Sequence, residues 1–160
     1  MSERIKIGGL FERTNLCMIE ILGIKDEPGS AGHIFKLFSK HNISIEFITS
    51  SFSTTGGGSM SLGMSDEHCH KVEELSFSIE ELIKPDKIVK RPAIAMLTVY
   101  GPHFAEKPRV AEIFCTELGN NKVNILGIST SINSITCVIN KCDLFQAKEA
   151  INLKFELPEY

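Results

Sequence analysis

Residues 28–51, PGSAGHIFKLFSKHNISIEFITSS, have a counterpart 80 positions later in residues 108–131, PRVAEIFCTELGNNKVNILGISTS, with no gap between the two readings. Pro28 falls on Pro108, Ala31 on Ala111, Phe38 on Leu118, Ile43 on Val123, Ile45 on Ile125 and Ser51 on Ser131. Self-similarity at a fixed offset marks a duplicated folding unit. Within the first copy Ala31, Ile34, Phe35 and Phe38 recur at i, i+3, i+4 and i+7, one apolar face of a helix. Ala111, Phe114, Cys115 and Leu118 hold the same offsets, so helices are expected at about 30–41 and 109–120. Each copy has roughly 75–80 residues, a size that builds only a marginal core alone and leans on a neighbour.

Outward from the repeat, Cys17–Ile24 is an apolar run of strand length ahead of the first helix. After it, Ile43, Ile45, Phe47 and residues 48–52 lead through a Thr-Thr-Gly-Gly-Gly turn into Met60-Ser61-Leu62. In the second copy Val123, Ile125 and Ile128 lead through residues 131–133 into Ile135–Ile139, so each copy carries a hairpin. Second helices are expected near 67–83, on Val72, Leu75, Ile79, Leu82 and Ile83, with a break at Ser76, and near 143–152, on Leu144, Ala147 and Ile151. The order per copy is β-α-β-β-α, one strand short of a split-βαβ, ferredoxin-like unit. Two spare extended segments, Ile5–Phe11 and Lys87–Lys90, supply one strand to each. Helices on one face of a mainly antiparallel sheet make the class α+β.

Net charge is −3, and the single basic cluster, Lys84 to Arg91, is diluted by Pro and Asp, which argues against a phosphate-binding surface and nucleic acid. The start MSERIKIGGLFERTN has no apolar signal core, and no apolar run reaches membrane-spanning length, so a cytoplasmic protein with no membrane partner is expected. Five cysteines, an odd number without C-x-x-C spacing and mostly inside apolar runs, suit a reducing compartment where thiols act as small hydrophobes. Cys17, Cys115 and Cys137 fall on apolar faces, where a thiol is inert.

The turn Asp26-Glu27-Pro28-Gly29-Ser30, followed by Ala31, joins the first strand to the first helix. Unpaired amides and the positive dipole end favour a carboxylate there, and Asp26 suits an ammonium, so the turn fits a free amino acid. Asp-x-Pro-Gly is equally an ordinary turn and cap, and both readings stand at this level. The following strand offers Ser44, Glu46 and Ser50, which line a groove in one reading and a half-solvated strand face in the other. In the second copy Asn124 replaces Ser44 and Arg109 stands where Gly29 does, so the two turns are not equivalent. His68-Cys69-His70 invites a metal, but residues two apart on a helix share no face and no ligand set has metal spacing. Gly56-Gly57-Gly58 lies in a hairpin rather than between strand and helix, unlike a phosphate cradle. No catalytic set, metal site or cofactor site is expected.

The run Ile21–Phe35, I-L-G-I-x-D-x-P-G-x-A-x-x-I-F, taken with Val123–Ser131, V-N-I-x-x-I-S-T-S, resembles the tandem ACT repeat of aspartokinase regulatory regions, and the tail Phe155–Leu157 fits it. The resemblance implies two βαββαβ ACT units with exchanged strands. One would span 12–90, closed by a strand at about 87–90; the other would span 91–160, completed by a strand at about 5–11. It also implies homodimers through continuous sheets, and an end-product amino acid such as lysine or threonine held at the strand–helix turn. Carried over, that favours Asp26, Pro28, Gly29, Ser30 and Ala31 with Asn124 and Ile125 as effector-binding residues. Where the family usually reads I-N-V-D-M-I-x-Q, this chain reads Ile43-Ser44-Ile45-Glu46-Phe47-Ile48-Thr49-Ser50, and the Glu-Ile after S-T-S becomes Ile132-Asn133. The expected function is a non-catalytic regulatory module, separate or part of a full aspartokinase, acting on an aspartokinase catalytic chain. A structural dimerisation module without ligand is the alternative. An acylphosphatase would want an arginine in the first turn, where Lys25-Asp26-Glu27 is net acidic, and an RNA-binding module would want aromatics on central strands.

Overall fold

The computed structural model describes residues 4–25, 27–54, 57–102, 104 and 109–158. The chain divides into two compact units, Asn15–Ala93 and a second made of the segment up to Thr14 with the chain from Ile94 onward. Two long strands cross from one unit to the other, β2 (Gly9–Ile24) and β5 (Lys87–Tyr100). At the crossing residues, Asn15 and Ala93, the backbone has φ of 58° and 53°, a left-handed conformation rare outside glycine.

The first unit contains α1 (Ser30–Lys40), β3 (Phe47–Ser53), β4 (Gly57–Ser65) and α2 (Cys69–Ile83), the last entered through a 3-10 turn at Asp66–His68. Its strands stand in the order β3-β4-β2-β5, with antiparallel ladders between β2 and β4 and between β3 and β4. Ile34 and Phe38 of α1 and Val72, Leu75, Ile79 and Ile83 of α2 meet Cys17, Ile19, Ile21, Met60, Leu62 and Met64 from the sheet in one apolar cluster. Burying each such side chain contributes about 1.5–3 kcal/mol. Arg91 Nε donates to Glu20 Oε2 at 2.8 Å across β5 and β2. Lys90 pairs with Glu73 on α2 and, with His70, holds the Glu73 carboxyl below its ordinary range.

The second unit contains α3 (Arg109–Asn120), β6 (Gly127–Thr130), β7 (Ser134–Asn140) and α4 (Leu144–Lys154). Its strands run β2-β5-β7-β6, and a small parallel pair joins β1 (Ile5–Lys6) to β8 (Phe155–Glu156). Phe114 of α3 meets Phe155 edge to face at 6.5 Å inside a core of Leu97, Val99, Leu118, Cys137, Ile139, Ala147 and Ile151. Lys148 of α4 is ion-paired with Glu12 of β2 at 2.6 Å.

The architecture is α+β with βαββαβ-like repeats, as the residues foretold, but several elements differ in extent. The expected strand at 5–11 is two pieces, β1 and the start of β2, and the expected strands at 17–24 and 87–90 are parts of the longer β2 and β5. The strands after the first helices begin at Phe47 and Gly127, not at Ile43 and Val123. Those two apolar residues belong to the helix exits. The Ile43 N–H donates to Phe38 O at 3.0 Å and the Val123 N–H to Leu118 O at 2.9 Å, each folding an apolar residue back over the last turn. Both are 4% exposed, so they read as strand residues only because they are apolar and buried. Ser76 does not interrupt α2; its hydroxyl bonds back to Glu73 O at 2.7 Å. The cysteines depart furthest from expectation: Cys17 and Cys69 are joined in a disulfide, leaving Cys115, Cys137 and Cys142 free. Sequence spacing cannot reveal such a pair, since Cys17 lies on a strand and Cys69 opens a helix elsewhere in the chain.

Both helix exits require a left-handed residue, Asn42 at φ 53° in one unit and Lys122 at φ 59° in the other. Asparagine tolerates this region and lysine does not. Lys122→Gly is therefore expected to stabilise the protein by about 0.5–1 kcal/mol, and Asn42→Gly to change it by only a few tenths, in urea unfolding followed by circular dichroism.

Candidate functional site

The strand–helix turn of the first unit is built by two glycines. At Gly23, φ 71°, the β2–β4 register shifts between Leu22 and Ile24, a bulge that re-aims the strand just before the turn. The bulge is pinned by the Asp86 N–H donating to Leu22 O at 2.8 Å, and a Cβ on Gly23 would lie 2.1 Å from Asp86 Oδ2. Beyond it, the Glu27 carbonyl accepts from the Ser30 hydroxyl at 2.9 Å and from the Ser30 N–H at 3.3 Å, which closes the turn onto α1. Gly29 caps α1 at φ 100° with open space where a side chain would sit.

The α1 terminus has no side-chain cap and no acidic residue in its first turn, so the positive end of the helix is not offset from within the helix. A cleft of about 260 Å³ opens beside it. One wall is Lys25, Glu27, Pro28, Ser30 and His33; the other is the last turn of α2, Leu82, Ile83 and Lys84. Lys84 adopts φ 44° as the residue ending α2, and its N–H donates to Glu80 O at 2.9 Å. The volume is small for a ligand pocket and matches a compact metabolite rather than a nucleotide. Lys25 and a helix N-terminus on one wall and Lys84 on the other, with the carboxylate of Glu27 and the apolar Leu82 and Ile83 nearby, can accommodate a carboxylate together with an amine or an aliphatic chain.

The expected site residues do not all meet here. Glu27, Pro28 and Ser30 line the cleft; Gly29 lies between them in the turn, and Ala31 packs on the core. Asp26 lies outside the described residues. Ser44 lines a different depression of about 540 Å³, with Phe35, Ile45 and Ile48. Glu46 donates its N–H to Gly63 O at 2.8 Å, and Ser50 is on β3 opposite Met60. Asn124, exposed, and Ile125, packed on the second core, belong to the other unit. Sequence reasoning missed His33 and Lys84 as lining residues; their one sequence signal is position, a helical turn beyond Gly29 and the end of the α2 apolar stripe. In the second unit α3 begins at Arg109 and carries Glu112 in its first turn, which offsets the dipole of α3, whereas α1 has no acidic residue there.

His68-Cys69-His70 is dispersed. Cys69 is bonded to Cys17, His68 faces Glu67 at 3.8 Å and His70 faces Glu73 at 3.5 Å. Among the described residues no cluster of three His, Cys, Asp or Glu is placed to hold a metal. Burial raises the Cys115 thiol and pushes Cys137 up to about 12, so both are protonated at neutral pH.

Residues 97–155 match the ACT domain family model. Those residues make up most of the second unit, which is therefore similar to ACT domains. Across both units the chain is 24% identical over 160 residues to the aspartokinase of Mycolicibacterium smegmatis, covering 98% of this chain and 38% of that protein. The chain therefore spans well under half the length of that relative. Its fold matches the ligand-free regulatory subunit of aspartate kinase from Thermus thermophilus with a TM-score of 0.84 at 22% identity, over 94% of this chain and 99% of that one. It also matches Escherichia coli aspartokinase III solved in complex with lysine and aspartate, with a TM-score of 0.70 at 16% identity, over 98% of this chain and 35% of that one. The tandem fold is thus that of an aspartokinase regulatory region. Among the described residues no helix is long and apolar enough to cross a membrane.

The two turn glycines separate conformational from steric demand. Gly29→Ala meets only the positive φ and is expected to cost about 1 kcal/mol, whereas Gly23→Ala adds a collision with Asp86 and is expected to cost at least twice that in urea unfolding.

Proposed function

We propose that this chain is a non-catalytic regulatory module that binds a free amino acid at the α1 turn and adjusts the activity of an aspartokinase catalytic chain. The observation that carries the reading is the α1 N-terminus, with no side-chain cap and no acidic residue in its first turn, opening onto a small cleft with Lys25 and Lys84 on its rim. The effector carboxylate is held by the first-turn amides and these lysines, and its amine by Glu27 and Asp26. Leu82 and Ile83 receive the aliphatic part of a side chain of the lysine or threonine class. The α3 turn, with Arg109 and Glu112, does not take the effector by the same route. Asn124 and Ile125 complete the site when a second copy presents them, and the edge strand β3, with exposed Ile48 and Phe52, is where a second copy extends the sheet. Regulation of this kind needs a coupling of about 1–3 kcal/mol between effector and catalytic sites, which differential contacts at one helix terminus can supply.

Thermal unfolding in the presence of each free amino acid at millimolar concentration tests the reading. An effector present at about 100 times its Kd adds roughly 2.7 kcal/mol of stability, and Asp26→Ala or Lys84→Ala is expected to reduce that gain while leaving the dimer mass unchanged. A flat response to all twenty amino acids favours the structural dimerisation module instead.

A further inference from the structure

Cys17 and Cys69 lie on separate elements, β2 and the first residue of α2, with Cα atoms 6.4 Å apart and a sequence separation of 52. That spacing is within the range a disulfide spans without moving the backbone. Cys17 is 1% exposed and Cys69 9%, so both sulfurs sit in the apolar core of the first unit, while the other three cysteines of the chain are unpaired. We propose that Cys17 and Cys69 form a reversible thiol–disulfide site, closed by exchange with a glutathione-type or protein disulfide and reopened by a dithiol reductant.

Cys69 is the entry point. It is the less buried of the two and stands at the first residue of α2, just after the 3-10 turn. Its thiolate attacks one sulfur of the incoming disulfide; that S–S bond breaks, and one equivalent leaves as a thiol after taking up a proton. Cys17, giving up its proton, then attacks the Cys69 sulfur of the mixed disulfide and releases the second equivalent. Two protein thiols are oxidised to one disulfide, and one external disulfide is reduced to two thiols. The closed bond ties the first turn of α2 to β2 and encloses α1, β3 and β4 in one loop. It therefore restricts the unfolded chain of the first unit and leaves the second unit unlinked. The site rests on this pairing alone, whatever the cleft at the other end of α2 binds.

The test is a redox titration of the whole chain in glutathione buffers, quenched in acid, alkylated and mapped by mass spectrometry. The expected result is a Cys17–Cys69 cross-linked peptide that rises with the oxidised fraction and disappears with dithiothreitol. The unfolding temperature is expected to track it, falling by about 10 °C or more on reduction. Cys69→Ser abolishes both responses and Cys142→Ser keeps both. Alkylation of all five cysteines at every buffer ratio overturns the proposal. So does a cross-link that persists in excess dithiothreitol, or an unfolding temperature indifferent to the cross-linked fraction; the wild-type titration decides even where a variant fails to fold.

Discussion

A single stripe of apolar side chains on a short helix, pressed onto one face of an antiparallel sheet, is what each half of this protein depends on. In the first unit the stripe is Ile34 and Phe38, fully buried; in the second it is Phe114 and Leu118. A helix of three turns is marginal in water, so its formation and its docking are one event. Once docked, the helix fixes what lies at both its ends. At the C-terminal end Ile43 or Val123 folds back onto the stripe, and the chain must pass through a left-handed residue to reach the next strand. At the N-terminal end the turn from β2 is held at a set distance from the sheet, and this makes room for a cleft.

The duplicated architecture also explains why the two turns can diverge. Nothing in the core requires Gly29: its Cβ position is open, and what demands glycine is only the conformation of the turn. Gly23 differs, because Asp86 occupies the space a side chain would need. The bulge is therefore a packing requirement of the first unit, whereas the cap is a local choice that exposes the helix terminus. The second copy made the opposite choice, with Arg109 opening the helix and Glu112 in its first turn. One core can thus carry one electrostatically open terminus and one that its own side chains offset.

The fold was legible because its strongest signal is periodic and occurs twice. The i, i+3, i+4, i+7 pattern finds the buried Ile34 and Phe38 of α1 and Phe114 and Leu118 of α3 without any tertiary information, although Phe35 and Ala111, which it also includes, are exposed. Where periodicity ends, reading fails in physically specific ways. Ile43 and Val123 look like strand residues because apolar burial is common to a helix exit and a ladder. The first half of β2 passes through Glu12, Arg13, Thr14 and Asn15, whose polarity hides a strand that continues for 16 residues. Of the cleft, the turn was visible in the order of Pro, Gly and Ser. The opposite wall was not, because Leu82 and Lys84 arrive by the packing of α2, and no local pattern states which turn of one helix stands beside another.

The cysteines show the same limit in chemical form. A count and a spacing describe thiols along a line, whereas pairing depends on which strand faces which helix end. Cys17 and Cys137 are both buried strand cysteines, and only the first has a partner at the start of a neighbouring helix. Burial without a partner leaves Cys137 protonated and inert. Burial beside Cys69 gives Cys17 a covalent neighbour. The two halves, alike in backbone, therefore differ in both ionic and sulfur chemistry, and both differences fall on the first unit, where the open helix terminus also lies.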